Sequence, residues 1–305
     1  MGEGWPPGWP ARVAGTSTGA IIAAAIAAGI PATRIVELYV DRAREIFTGL
    51  PLLNTLLRII TGSMYSTQNR YDVIAEELGP EASGLSLNDS PIDLLITGKG
   101  VPDGKSWYFV RDNPENAGCT GRLGLVDCAT ASAAAPTYFA PWTIQEPSGR
   151  PPRCERVGAV VDGGVGVAGN PVYQACVEAF YYSEGEEPED TITISMGTGR
   201  FLGKQRPTWI WSWLQWLLGE LLESPGEQQT EIVWRHFREM PFYRIDTKLK
   251  ESIELDDVET VGRLREYGNQ LARLIDWEAI LEGTDERFRV RGDQKRLPQY
   301  ARETA

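Results

Sequence analysis

The residues best suited to chemistry stand near the start of the chain, where Gly15, Thr16, Ser17, Thr18 and Gly19 form a G-x-S-x-G pentapeptide. It lies between a short apolar segment and a run of Ala and Ile that reaches Gly29. A serine at a sharp strand-to-helix turn of this kind is a nucleophile elbow. Small flanking residues let neighbouring backbone pass close beneath it, and the hydroxyl projects from a helix N-terminus. Gly15 and Gly19 meet that demand. Free N–H groups and the positive end of the helix dipole favour the charge of a tetrahedral intermediate, and the Thr18 N–H is the natural first oxyanion donor. Alone the pentapeptide is a weak signal, because a tight turn with an incidental Ser reads the same way. The helix that follows strengthens it. Ala20, Ala23, Ala24, Ala25, Ala27 and Ala28 give the small side chains expected where a helix lies close against a sheet.

A nucleophilic serine needs a base. The chain has a single histidine, His236, in the run Trp234-Arg235-His236-Phe237-Arg238, with no supporting motif around it. A carboxylate taking the proton directly fits better, and the best candidate is Asp162, the polar residue that ends the apolar run Val157 to Val161. At the same carboxyl edge of a sheet as the elbow, and freed of side-chain bulk by Gly163 and Gly164, it would come within hydrogen-bond reach of Ser17. An ordinary Asp-Gly turn, like the one at Asp103-Gly104, is the competing reading.

The elements needed to position these groups can be read from the pattern. Residues 1–10 hold three Pro, three Gly and two Trp and should be irregular. Gly29, Ile30 and Pro31 end the elbow helix and start another, expected to run to about Phe47. Residues 50–60 suggest a short surface helix, and Tyr71 to Leu78 a helix ended by Gly79 and Pro80. Ile92 to Thr97 and Ser106 to Val110 read as a hairpin or two neighbouring strands. Asp127 to Tyr138 is Ala-rich and stops around Pro136. Asn170 and Pro171 cap a helix to about Tyr182, Thr191 to Met196 is a further strand, and Asp256 to Asp276 is a long amphipathic helix before a frayed tail, residues 291–305. Strands alternating with helices imply a three-layer α/β/α sandwich with a mainly parallel central sheet. No low-complexity linker divides residues 1–305, so one domain is expected.

Composition narrows the partners. A formal charge of −12 argues against nucleic acid and anionic membranes as electrostatic partners, while neutral or zwitterionic lipid remains permitted. Cys119, Cys128, Cys154 and Cys176 have no C-x-x-C spacing, so metal binding is not expected, and buried thiols are. No charged n-region followed by an apolar h-region opens the sequence, which points to a cytoplasmic location. The uncharged stretch Pro207 to Gly219 is shorter than the roughly 20 residues of a membrane span.

Four segments together carry a family resemblance. The Gly15–Gly19 elbow with its Ala-rich helix, the run Ala129-Thr130-Ala131-Ser132-Ala133-Ala134-Ala135-Pro136-Thr137-Tyr138-Phe139, the Asp162-Gly163-Gly164 turn leading to Asn170-Pro171, and Ile194-Ser195-Met196-Gly197-Thr198-Gly199 resemble patatin-like phospholipases in the same order. Tyr243-Arg244-Ile245 followed by Leu255-Asp256-Asp257 is similar to the family's C-terminal part. The resemblance implies a patatin-like α/β fold, a Ser-Asp dyad with Ser17 as nucleophile and Asp162 as general base, acyl-ester hydrolysis of lipids, and no metal or organic cofactor. One departure stands out. The family places a strand and a glycine-rich loop, D-G-G-G-x-R-G, ahead of the elbow to supply oxyanion donors, and Gly2, Gly4 and Gly8 do not reproduce it. Losing one such donor costs roughly a hundredfold in rate. Truncation, opening residues that stand in for the loop, and impaired catalysis all fit.

The segment from Thr208 to Leu222 places Trp209, Trp211, Trp213 and Trp216 among Ile and Leu on nearly all faces of a presumed helix, which favours burial. A lid or interfacial helix touching a membrane surface is the other reading. Three functions follow: a lipid acyl hydrolase, a lipid- or protein-binding module of the same fold that has lost turnover, and a small-molecule esterase using His236.

Overall fold

The computed structural model describes residues 11–47, 63–114, 119–144, 158–166, 168–183, 186–201, 208, 212–213, 216–217, 220, 225–253 and 255–291. Residues 1–10, the stretch 50–60, Trp209, Trp211 and the tail 292–305 lie outside these.

The chain enters through β1 (Arg12–Gly15) and turns at once into α1 (Thr18–Ala27), where Ala20, Ile21, Ala23, Ala24, Ala25 and Ala27 are buried. Side chains this small let α1 lie close on β1 and β3. Gly29 ends it in the left-handed conformation (φ 75°), and the Ile30 N–H returns to the Ala25 carbonyl, closing a Schellman motif. The helix expected to reach Phe47 is broken in two, α2 (Ala32–Asp41) and α3 (Ala43–Ile46). Arg42 leaves helical geometry between them and its guanidinium gathers Glu45, Glu76 and Glu77. After β2 (Ser63–Tyr65), α4 (Thr67–Ser83) is capped by the Ser66 hydroxyl. Gly79 and Pro80 kink this helix instead of ending it: Gly79 takes φ 80°, ψ 167°, and the helix resumes.

β3 (Asp93–Gly100) and β4 (Ser106–Phe109) form the hairpin, and α5 (Leu125–Ser132) is buried along its whole length. Then come β5 (Thr137–Phe139), β6 (Trp142–Thr143), β7 (Ala159–Asp162), α6 (Val172–Tyr181), β8 (Thr193–Met196), α7 (Pro225–His236) and β9 (Phe242–Ile245). α8 (Val261–Ala272), shorter than the helix expected over Asp256 to Asp276, and α9 (Trp277–Leu281) follow.

The α/β class is as expected, but the central sheet is mixed where a mainly parallel one was anticipated. Its order is β1-β3-β7-β6 with β4 also on β3. β1 runs parallel to β3, while β4 and β7 run against β3 and β6 against β7. Parallel pairs β2–β5 and β8–β9 stand apart from it. Strand alternation separates the layers. Val13 packs into the apolar cluster built by α1, α4 and α5, whereas Arg12 turns the other way to Asp93, Ser183 and Glu186. Beyond it, α6 and α7 bury Val172, Cys176, Val233 and Phe237 together. Cys128 and Cys176 are buried thiols as expected; Cys119 is disulfide-bonded instead.

Candidate active site

Strand pairing brings Ser17 and Asp162 together. β4 occupies one edge of β3 across Ile96 to Lys99, so β1 and β7 must share the other edge, at 93–96 and 98–100. β1 runs with β3 and ends at Gly15 opposite Ile96; β7 runs against it and ends at Asp162 opposite Gly98. Their C-terminal ends therefore meet head to head two residues apart along β3. This corrects the expectation of a shared carboxyl edge: Asp162 arrives from the opposite direction, because β7 is antiparallel to β3.

The turn after β1 is as tight as an elbow demands. Ser17 holds φ 57° and ψ −125°, a conformation that costs a non-glycine residue roughly 1–3 kcal/mol. A Cβ on Gly15 would sit 2.1 Å from the Gly19 carbonyl oxygen, so no side chain fits there. Gly19 has open space around it; its own backbone is what Gly15 must clear. Thr16 fastens the turn from below. Its hydroxyl donates to the Ala168 carbonyl at 2.6 Å and so must accept the Thr97 hydroxyl at 2.7 Å. Ser17 N–H donates to Ser132 Oγ at 3.0 Å. Gly19 and Ala20 N–H bond to the Thr16 and Ser17 carbonyls, and Thr18, at the first position of α1, has no intrahelical acceptor for its N–H.

Asp162 is fully buried. Its Oδ1 accepts the Gly164 N–H at 2.8 Å, while Oδ2 has no hydrogen bond of good geometry. Burial pushes its pKa up to about 6, against the opposing pull of the Ser17 side chain, the Gly164 N–H and the Arg70 guanidinium. The Ser17 hydroxyl thus lies near enough to favour the charged carboxylate without a fully formed bond, as is common before substrate binds. Gly163 is obligatory, since a Cβ there would fall 2.1 Å from Thr97 Oγ1.

Pattern reading missed three contributors. Arg70 of α4 is 1% exposed, stacks 3.8 Å over the Phe139 ring and donates to the Thr130 and Ala133 carbonyls at the end of α5. Its pKa is pulled down to about 9 by burial, with Asp162 acting the other way. Ser132 and Thr97 complete the set, and their bonds to Ser17 and Thr16 join residues 115 and 81 apart in sequence. His236 is not among them. Exposed at the end of α7, it faces the Tyr173 hydroxyl at 3.2 Å.

Ser17, Thr18 and Asp162 open into a cleft of about 3410 Å³ whose near wall includes Ile22, Tyr39, Phe47, Tyr138 and Phe139. Gly2, Gly4 and Gly8 lie outside the described residues. Among the described residues no cluster of His, Cys, Asp and Glu is grouped to hold a metal, and no helix is long and apolar enough to cross a membrane.

Comparison with known proteins finds relatives and a family for this chain. The cGAMP-activated phospholipase of Escherichia coli is 29% identical over 191 residues, which are 61% of this chain and 49% of that protein. The cGAMP-activated phospholipase of Vibrio cholerae is 25% identical over 289 residues, 85% of this chain and 78% of that one. The chain thus spans about half the length of the first relative and most of the second. Residues 10–176, more than half of the chain, match the family model described as patatin-like phospholipase, and the chain belongs to that family.

Proposed function

We propose that this chain hydrolyses carboxylic esters of acyl lipids through an acyl-enzyme on Ser17, with Asp162 as general base and the Thr18 N–H as an oxyanion donor. The observation that carries this reading is the head-to-head approach of Ser17 and a buried carboxyl whose pKa is about 6, with no imidazole between them. A carboxyl raised that far is a better proton acceptor than an exposed one near its reference of about 3.9, yet still ionised at neutral pH.

In the first step the Ser17 proton passes to Asp162 as Oγ bonds the ester carbonyl carbon, and the carbonyl electron pair moves onto oxygen beside the Thr18 N–H. Collapse re-forms the carbonyl and breaks the ester C–O bond. The leaving alcohol takes the proton from Asp162. Water then repeats the sequence, losing its proton to Asp162 and releasing the fatty acid and free Ser17. A cleft of about 3410 Å³ exceeds the roughly 300–1,000 Å³ of ordinary small-molecule pockets, and its aromatic and aliphatic wall suits acyl chains.

The relatives' name carries an activator as well. By that likeness we expect cGAMP to raise the rate of ester cleavage, and an unchanged rate at saturating cGAMP removes this part alone. For the chemistry itself, a fluorophosphonate should label Ser17, and Ser17→Ala should lose both the label and p-nitrophenyl ester cleavage. Cleavage that persists in Ser17→Ala would take Ser17 out of the mechanism.

A further inference from the structure

The C-terminal end of α5 and the two residues after it bond the backbone of both members of the proposed dyad. Ser132 is fully buried. Its Oγ accepts the Ser17 N–H at 3.0 Å, and its carbonyl accepts the N–H of Gly163, the residue after Asp162, at 3.3 Å. Two residues on, the Ala134 carbonyl accepts the Asp162 N–H at 3.0 Å. The clip is itself held from behind, because Arg70 donates to the carbonyls of Thr130 and Ala133 on either side of Ser132. One three-residue stretch therefore fixes the backbone of both candidate catalytic residues, which come from strands running in opposite directions.

We infer that Ser132 is a positioning residue of this site: its hydroxyl oxygen, by accepting the Ser17 N–H, holds Ser17 in the left-handed conformation from which its own hydroxyl faces Asp162. The inference rests on the Ser17–Asp162 reading above. Ser17 adopts φ 57° although it carries a Cβ, and such a conformation persists only where the surroundings over-determine it. Gly15 makes room for the turn but applies no force to Ser17. The bond to Ser132 acts on Ser17 directly, and it does so through a side chain, so substitution can remove it without changing any backbone group.

Three substitutions separate positioning from mere packing. Ser132→Ala removes the acceptor, Ser132→Cys keeps nearly the same shape with a poor acceptor, and Ser132→Thr keeps the hydroxyl. The measurements are kcat and KM on a p-nitrophenyl ester, the rate of fluorophosphonate labelling at Ser17, and thermal melting. We expect kcat and the labelling rate to fall by about 10- to 100-fold in the Ala and Cys variants, with KM changed by less than about twofold, and to recover to within about threefold of the parent in the Thr variant. Full kcat in Ser132→Ala overturns the inference. So does a loss of rate that follows the melting temperature across all three variants. Turnover in Ser17→Ala would instead remove the dyad reading, whatever Ser132 does. A crystal structure of Ser132→Ala supplies a readout that needs no turnover: Ser17 should leave φ near 57°, and an unchanged Ser17 backbone also overturns the inference.

Discussion

Asp162 is where burial and chemistry pull against each other. The folded chain holds its proton more tightly than the unfolded chain does, about 6 against 3.8, so the protonated form contributes stability that is complete below about pH 3.8 and lost as pH rises through 6. Asp162→Asn removes this ionisation and should melt higher than the parent at pH 7–8, by on the order of 1–3 kcal/mol, with the advantage gone near pH 4. Thermal denaturation across pH 4 to 8 checks it; an Asn variant less stable at neutral pH would contradict the account of the buried carboxylate. Arg70 acts on the same group, since its charge draws the Asp162 pKa down. Arg70→Met should therefore move the acid limb of kcat/KM to higher pH, while Arg70→Lys, which keeps the charge, should move it less. An acid limb unmoved by Arg70→Met would show that the two groups are not electrically coupled.

At the scale of elements, the turn between β1 and α1 sets the strictest demand. Gly15→Ala would drive a Cβ into the backbone of Gly19 and Ala20, which cannot rotate away as a side chain would, and should cost more than about 3 kcal/mol. Gly19→Ala meets open space at the start of a helix and should leave stability within about 1 kcal/mol of the parent. Equal losses in urea denaturation of the two variants would contradict this division between the glycines. The contrast also marks what could be read from the chain alone. The elbow, its Ala-rich helix and the Asp162-Gly163-Gly164 turn were legible because each motif places its chemistry within a few neighbouring residues. Ser132 and Arg70 were not, because what they do depends on partners 115 and 63 residues away. Strands of two or three residues such as β2, β5 and β6 offer too little alternation to detect. The mixed sheet escaped for a related reason: strand periodicity reports which face is buried and says nothing of direction.

For the whole molecule, the cleft joins the proposed site to an apolar rim. Trp213 and Leu217 are 44% and 48% exposed, which does not fit the burial expected for that segment, and Trp216 lines the cleft. With a formal charge of −12 the chain has no electrostatic reason to prefer anionic bilayers. We therefore propose that these side chains meet neutral lipid, and predict that Trp213→Ala with Leu217→Ala weakens co-sedimentation with phosphatidylcholine vesicles about 5- to 20-fold while leaving cleavage of a soluble ester unchanged. Equal binding by the parent and the double variant would remove this face from lipid contact. Whether the Ser17 proton goes to a carboxylate, as proposed, or to an imidazole can be tested directly in a chain with one histidine. The measurement is the rate of fluorophosphonate labelling at Ser17 from pH 4.5 to 8.5 in the parent, Asp162→Asn and His236→Ala. A single ionisation near pH 6 is expected in the parent and kept intact in His236→Ala, with labelling slowed at least about 100-fold and the ionisation gone in Asp162→Asn. An ionisation that vanishes with His236 and survives the loss of Asp162 would contradict the proposed transfer to the carboxylate.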